Sequence, residues 1–291
     1  ASSSEYTIGR SSLVADVVGV SPGRSVIRRD LRARKRCGSR RNSRGPRPLS
    51  RRASPVAPIV VVARLDARGP DGENVRRVLS AENGWPVPRY FGACGRIIIE
   101  EYVGLPLSDY YDKSWIQRVK IASSLLNAAY LFTFKNNMFG FYLTDISADN
   151  IAVDDENVAK FIDLENIIIV DKNISQEDEP KEWQKIHNTI HFDCPNCFAF
   201  SSKDICNHYL SDHNYYAICQ LLLNSGNENQ FPGGFLHDIP TNIVQQYPDI
   251  EDLLQQCAVP RSTKSRIFFG QRLKVLLDMI LDEPQHEYNV K

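Results

Sequence analysis

Residues 142–170 read YLTDISADNIAVDDENVAKFIDLENIIIV, and this stretch decides the fold. Asn150–Val153 and Ala159–Ile162 are short apolar runs that contain β-branched residues, and the polar residues Asp154–Asn157 separate them. Two such runs around a polar turn predict a β-hairpin.

Polar side chains lie directly outside both ends of this predicted hairpin. Asp145 and Asn150 precede its first strand, and Asp163 follows its second strand. The hairpin should therefore bring two carboxylates and one carboxamide to the same end of a small sheet. Hard oxygen ligands of this kind suit Mg²⁺ or Mn²⁺ that carries a polyphosphate.

The spacing of these polar residues resembles that of protein kinases. In kinases an Asp is followed five residues later by an Asn, and a metal-binding Asp follows the next hairpin. Asp145 and Asn150 match the first part, and Asp163-Leu164-Glu165 takes the place of the metal-binding Asp-Phe-Gly. The resemblance implies that Asp145 is catalytic and that Asn150 and Asp163 bind metal. From the residues alone, turn-capping side chains in an ordinary α/β domain remain the alternative.

The predicted strands and helices follow the kinase order. Trp85–Val103 predicts two strands joined by a Gly turn, and its last residues, Glu101, Tyr102 and Val103, stand where a kinase hinge binds adenine. Trp115–Asn137 has apolar residues at helical spacing and predicts a long amphipathic helix. We therefore expect an α+β, protein-kinase-like two-lobed fold, with a helical C-lobe and a truncated β-rich N-lobe.

The first lobe lacks part of the usual phosphate-binding apparatus. Pro58–Leu65 predicts a strand of the kind that carries the phosphate-binding Lys in kinases, but the corresponding positions hold Ala63 and Arg64. The planar guanidinium of Arg does not replace an ammonium point charge. We expect a partial kinase-like N-lobe with the hinge at residues 56–104 and a kinase-like C-lobe at residues 105–291.

Charge is distributed unevenly along the chain. Residues 1–80 contain 18 Lys and Arg against 6 Asp and Glu, whereas residues 81–291 contain 17 against 29. Arg24–Arg52 mixes 12 Arg with Ser, Gly and Pro, so residues 1–55 are predicted to be a disordered Arg/Ser-rich segment. Without stacking aromatic residues we expect no nucleic-acid partner, although an RNA-binding arm is the alternative. No apolar run approaches the roughly 18–20 residues of a membrane span.

Several unusual strings extend the resemblance, namely Gly84-Trp85-Pro86, Tyr90–Arg96, Asp212–Gln220 and Gly233–Asp238. They resemble the divergent protein kinase family of the animal secretory pathway, in the group named for deletion in autism, over about residues 78–282. The resemblance implies a Golgi, endoplasmic reticulum or secreted location, with ATP and Mg²⁺ or Mn²⁺ as cofactors. It does not extend to residues 1–77. Since the sequence begins at Ala1 without Met and shows no signal peptide with a contiguous apolar core, we expect it to be a fragment or an imperfect gene model.

Two functions from different classes follow from the resemblance. The first is a divergent secretory kinase that transfers phosphoryl groups to the hydroxyls of a protein substrate. The second is a catalytically inactive pseudokinase that acts as a secreted or luminal binding protein and signals to a receptor. The missing Lys favours weak or lost activity, because phosphoryl transfer depends mostly on positioning and charge neutralisation.

The cysteines allow two interpretations. The spacing of His187, His191, Cys194 and Cys197 fits a tetrahedral zinc site, but these thiols could equally form disulfides with other cysteines, which are Cys206, Cys219 and Cys257. The family resemblance favours disulfides, since it implies an oxidising compartment.

Three further residues carry predictions. Asp212 opens a predicted helix at the point where a kinase Asp anchors the catalytic loop, with N-capping as the alternative. Thr144 replaces the catalytic-loop Arg, so phosphorylation-dependent ordering through that residue is excluded. Asn173 begins the only N-glycosylation sequon, which has meaning only in a secreted protein.

Overall fold

The computed structural model describes residues 59–60, 78–94, 97–164, 166–189, 199–223, 234–261 and 263–283. All of them belong to one unit, Arg52–Lys291. The predicted Arg/Ser-rich segment, residues 1–55, lies outside the described residues, as do Ala63 and Arg64.

A long helix, α1 (Trp115–Phe134), supplies much of the main core. It begins at Ser114, whose hydroxyl accepts a hydrogen bond of 3.4 Å from the amide of Gln117 and so satisfies one of the unpaired amides of the first turn. The predicted apolar face is buried, at Val119, Ala122, Leu125, Leu126, Ala129 and Phe132. Burial of this face explains why the sequence forms a helix here rather than a strand.

Helix α1 ends at Phe134, three residues before the predicted end at Asn137. The side-chain oxygen of Asn136 accepts hydrogen bonds from the amides of Met138 and Phe139, at 2.8 and 3.0 Å. Asn side chains compete in this way with helical hydrogen bonding. The chain therefore turns at Asn136 and enters the next strand.

The first sheet contains β1 (Ile59–Val60), β2 (Tyr90–Cys94) and β3 (Ile97–Glu101). Its order is β1-β3-β2, and both pairings are antiparallel. The pairing of β2 with β3 confirms the two strands predicted within Trp85–Val103.

The second sheet contains β4 (Leu105–Pro106), β6 (Ile151–Val153) and β7 (Ala159–Phe161), in the order β4-β6-β7. Strands β6 and β7 are the predicted hairpin, with Ile151 opposite Phe161. The carboxylate of Asp154 closes the turn by accepting hydrogen bonds from the amides two and four residues later, at 3.0 and 2.9 Å.

Two short pairings complete the strands. Strand β5 (Phe139–Tyr142) is antiparallel to β8 (Ile168–Asp171), and β9 (Ile186–His187) is parallel to β10 (Leu210–Ser211). The β5–β8 pairing places the segment that follows Asp163 beside the strand that precedes Asp145.

Five further α-helices follow among the described residues: α2 (Ser202–Cys206), α3 (His213–Ala217) with a π-helical turn at Ile218–Leu223, α4 (Thr241–Gln246), α5 (Ile250–Ala258) and α6 (Arg266–Asp282). Gly270 lets α6 approach α3 closely, since a Cβ there would lie 2.3 Å from Cδ1 of Tyr215. The chain therefore has the kinase-like mixture of helices and small, mostly antiparallel sheets. Of the helices described, none is both long enough and apolar enough to cross a membrane.

Candidate functional site

The loop between β5 and β6 holds two of the three predicted site residues in contact. The side-chain nitrogen of Asn150 donates a hydrogen bond of 3.1 Å to the backbone carbonyl of Asp145. This bond orients the amide, because its nitrogen is engaged with protein and its oxygen is the remaining atom with lone pairs. Asp145 is exposed and Asn150 is half-buried, so both residues are in contact with solvent.

The hairpin brings the third residue to the same place. The amide of Ile162 donates a hydrogen bond of 3.0 Å to the backbone carbonyl of Asn150, which extends the β6–β7 ladder by one step. Asp163 is the next residue and is half-buried. The chain thus places Asn150 and Asp163 at the same end of the hairpin, with Asp145 beside Asn150.

The donor atoms at this end of the hairpin fit a hard divalent cation. Asn150 offers a carboxamide oxygen and Asp163 a carboxylate, which are ligands that Mg²⁺ and Mn²⁺ accept when phosphate and water oxygens complete the shell. Within the described ranges, no group of three or more His, Cys, Asp or Glu side chains is arranged to hold a metal without such help.

His213 and Asn214, at the start of α3, anchor the strand end that leads into Asp145. The side-chain oxygen of Asn214 accepts a hydrogen bond of 3.0 Å from the amide of Leu143, and Nε2 of His213 lies 2.9 Å from the carbonyl oxygen of the same residue. Asn214 also donates to the carbonyl of Phe141 at 2.8 Å and to the hydroxyl of Thr133 at 3.0 Å. Both anchoring side chains are fully buried, so the position of the loop is fixed from beneath.

Asp212 has a different role from the one predicted. Its carboxylate accepts a hydrogen bond of 2.8 Å from the amide of Thr189 and forms a buried ion pair with Arg266. Its side chain makes no capping hydrogen bond to α3. Among the described residues, His213 and Asn214 anchor the loop that carries Asp145. The carboxylate of Asp212 instead fixes the chain that follows β9, through Thr189. The sequence marked the string Asp212–Gln220 but did not indicate which of its side chains reaches the loop.

Thr144 links the loop to the segment that follows Asp163. Its hydroxyl donates a hydrogen bond to the backbone carbonyl of Asn166. In a kinase the Arg at this position would bind a phosphorylated residue. Here a short neutral side chain makes a direct contact, and Leu164, at the position of the usual Phe, is buried in the main core. The start of this segment is therefore held without a phosphate.

The predicted hinge lies against the hairpin. The carboxylate of Glu101 lies 3.6 Å from the ammonium of Lys160, which also lies 3.8 Å from the carboxylate of Asp154. These three side chains are about four-fifths buried, so Lys160 on β7 links the end of β3 to the start of the β6–β7 turn in a partly desolvated setting. Lys160 was not among the predicted site residues. Its position between the buried Ala159 and Phe161 could have indicated that it lies on the opposite face of β7.

Gly104 permits the chain to pass closely over β6 just after the hinge. Its φ is +154°, and a Cβ at this position would lie 2.0 Å from the carbonyl oxygen of Val153. Tyr102 is 40% exposed and Val103 is half-buried. Among the hydrogen bonds between described backbone groups, none uses Val103. The hinge backbone is therefore placed beside the hairpin.

A second contact joins the loop to the turn that follows β4. The hydroxyl of Ser108 donates a hydrogen bond of 2.8 Å to the carboxylate of Asp149. Burial, with a smaller contribution from Asp149, raises the pKa of Tyr111 to about 12. The Tyr111 phenol therefore stays neutral at physiological pH next to the acidic loop.

The cysteines are only partly described. Cys219 and Cys257 form a disulfide that ties the π-helical turn to α5. Cys206 is a free and largely exposed thiol, and its partial burial raises its pKa. The predicted zinc ligands His191, Cys194 and Cys197 lie outside the described residues. His187 is described, and its Nδ1 lies 2.8 Å from the hydroxyl of Ser211. A disulfide is thus present, but it joins Cys219 to Cys257 rather than either of them to Cys194 or Cys197 as expected.

The chain is similar to a known protein family and to several curated proteins. The family model for the protein-kinase domain of FAM69 matches residues 73–260. Divergent protein kinase domain 2A of Xenopus tropicalis is 35% identical over 201 residues, which cover 68% of this chain and 47% of that protein. The human protein of the same name is 34% identical over 201 residues, or 68% of this chain and 46% of that protein. Human divergent protein kinase domain 2B is 25% identical over 175 residues, or 58% and 38%. The chain spans about half the length of the curated relatives it matches.

Proposed function

The chain belongs to the family of the FAM69 protein-kinase domain, and on that premise we propose that it is a divergent secretory-pathway kinase-like protein that binds ATP together with Mg²⁺ or Mn²⁺. The observation that carries this proposal is the meeting of Asp145, Asn150 and Asp163 at one end of the β6–β7 hairpin. The finer architecture proposed with it is two-lobed, with β1–β3 in the smaller lobe and the helices in the larger one.

Each site residue is assigned a role under this proposal. Asn150 and Asp163 hold the metal, and Asp145 accepts the proton of a protein hydroxyl. The metal, when bound, supplies positive charge that neutralises the nucleotide phosphates. Backbone groups of Glu101, Tyr102 and Val103 receive the adenine. The oriented amide of Asn150 supports its role, because only its oxygen faces away from the Asp145 carbonyl.

The buried anchors beneath the loop support catalysis by positioning. Asp145 would have to be held to within a fraction of an ångström for proton transfer to be efficient. His213 and Asn214 restrain both backbone groups of Leu143, two residues before Asp145. Positioning is the contribution that this chain can make to phosphoryl transfer in the absence of an identified phosphate-binding Lys.

A second candidate function is that of a pseudokinase, a binding protein that signals to a receptor without catalysis. Thr144 favours it, since this residue contacts the Asn166 carbonyl where kinases carry a regulatory Arg. Both candidates share a luminal or secreted location, Golgi, endoplasmic reticulum or extracellular. The Cys219–Cys257 disulfide supports that location, because disulfides persist in oxidising compartments.

A thermal-shift titration of the protein tests nucleotide binding. ATP with Mg²⁺ or Mn²⁺ should raise the unfolding midpoint, whereas ATP with a chelator, or metal alone, should not. Asp163→Asn should abolish the shift. Glu156→Gln removes an exposed carboxylate from the far end of the same hairpin and should leave it unchanged.

Two outcomes discriminate between the candidates. A metal-dependent shift together with phosphate incorporation that Asp145→Asn abolishes establishes the kinase. If the metal-dependent shift is absent while the protein still binds a receptor on cells, the pseudokinase explanation replaces it.

A further inference from the structure

The only sequon of the chain lies at a position where a glycan fits the fold. Asn173-Ile174-Ser175 follows directly after β8, and Ile174 is neither Pro nor another residue that blocks the motif. Asn173 and Ser175 are exposed, whereas Ile174 is half-buried between them. Asn173 and Ser175, which define the motif, therefore face solvent, whereas the variable middle residue, Ile174, faces the protein.

The neighbours of Asn173 explain this alternation. Ile174 packs against the smaller core cluster, which includes Tyr142, Val170 and Trp183. On the other side, the ammonium of Lys172 donates a hydrogen bond of 3.1 Å to the carbonyl of Thr133. Both flanking side chains are thus directed inward, and Asn173 is held outward between them.

The side-chain amide of Asn173 donates only a long hydrogen bond within the described part of the chain. Its nitrogen donates to the carbonyl of Met138 at 3.4 Å, which is long for a hydrogen bond. An N-linked glycan replaces one of the two hydrogens and leaves the other for this contact. The side chain of Met138 is itself 55% exposed, so the space around the amide is open on that side.

The compartment required for this modification has independent support in the Cys219–Cys257 disulfide. N-glycosylation and disulfide formation both take place in the lumen of the secretory pathway. We propose that Asn173 carries an N-linked glycan. The inference rests on the luminal location in the proposed function.

The reaction is a transfer of an oligosaccharide from a lipid pyrophosphate donor. The bond between sugar C1 and the pyrophosphate oxygen breaks, and a bond between C1 and Nδ2 of Asn173 forms. The lipid pyrophosphate leaves as an anion, and Nδ2 gives up one proton. Because the sequon is the only one in the sequence, the product carries a single glycan.

The test uses the full chain in animal cells, once as it is and once behind a cleavable signal sequence that directs it into the lumen. Luminal chain should run as one slower band that peptide N-glycosidase converts to the faster form. Asn173→Gln and Ser175→Ala should each give only the faster form. Ser175→Thr keeps the motif and should keep the slower form.

The two forms of the experiment, with and without the added signal sequence, test the glycan and the luminal location separately. Signal-directed chain that is protease-protected in membranes, but is unmodified at Asn173 by peptide mass analysis, overturns the inference. Endogenous protein found entirely in the cytosol overturns the proposed location, whatever the signal-directed chain does. Secretion of the Ser175→Thr form with its glycan shows that the modified chain folds.

Discussion

The guanidinium of Arg266 forms an ion pair with the carboxylate of Asp212, and both side chains are buried. The same guanidinium donates to the carbonyls of Cys257, Ala258 and Thr189, at 2.9, 3.2 and 3.3 Å. One cation therefore joins the start of α6 to the end of α5, to the start of α3 and to the chain after β9. This arrangement supports α3, from which the Asp145 loop is held.

Loss of either partner of this pair should destabilise the fold strongly. Asp212→Asn or Arg266→Met leaves one buried charge or several buried carbonyls without a partner, and we expect a loss of about 3–5 kcal/mol in the free energy of unfolding. Urea denaturation measures it. Lys274→Met breaks a partly exposed pair with Asp278 on the same helix and should cost at most about 1 kcal/mol. Equal losses in the two experiments would contradict the assigned role of Arg266.

Asn214 should control the order of the loop that carries Asp145. Asn214→Ala removes the acceptor for the Leu143 amide and the donor to the Phe141 carbonyl, and each orphaned buried group costs about 1–3 kcal/mol. We expect the Leu143 amide to exchange its hydrogen faster with solvent, and the ATP-dependent thermal shift to shrink. Asn188→Ala, at an exposed position, is the control. If the Leu143 amide exchanged its hydrogen at the wild-type rate in Asn214→Ala, then Asn214 would not control the order of this loop, and the contact of His213 with the Leu143 carbonyl would be sufficient to hold it.

Tyr142 should make stability fall at alkaline pH. Burial raises its pKa to about 12, so the folded chain keeps the phenol proton above the unfolded pKa of about 10. The resulting stability is complete below pH 10 and is lost as pH rises from about 10 to 12, a loss on the order of 2–3 kcal/mol. Denaturation of wild type and Tyr142→Phe across this range should show a shallower pH dependence in the variant.

The Tyr142 variant should also be less stable at neutral pH. The phenol oxygen accepts a hydrogen bond of 2.9 Å from the amide of Ser211, and its loss costs about 1–3 kcal/mol. Tyr130→Phe removes the hydroxyl of a 45% exposed tyrosine and serves as the control for both measurements. A variant with the wild-type alkaline slope would mean that other buried tyrosines account for the dependence.

The Cys219–Cys257 disulfide should contribute measurably to stability. It closes a loop with a sequence separation of 38, for which the chain-entropy model gives about 4 kcal/mol. The double variant Cys219→Ala/Cys257→Ala should lose this amount, and a reducing agent should lower the unfolding midpoint of wild type but not of the double variant. Cys206→Ser, at an exposed thiol, should behave as wild type. If a reducing agent left the unfolding midpoint of the wild-type protein unchanged, the Cys219–Cys257 disulfide would not be formed in solution.

The amino-acid sequence by itself determined the local elements and the position of the site along the chain. The β6–β7 hairpin follows from two β-branched runs around a polar turn, and α1 follows from apolar residues at helical spacing. Both patterns depend on neighbouring residues, so they can be read from the sequence. The same is true of the interval from Asp145 to Asn150, which the short loop before the hairpin converts into a direct contact.

The tertiary structure alone decided which distant side chains hold these elements in place. Asn214 reaches Leu143 across 71 residues and Arg266 reaches Asp212 across 54, while Lys160 meets Glu101 across two separate sheets. The sequence offered several equivalent polar side chains near Asp212 and several cysteines, with no local pattern to choose among them. Burial decides which of these side chains form hydrogen bonds. A polar group that is removed from water needs a partner within the protein, and only the packing of the elements determines which groups lie beside it.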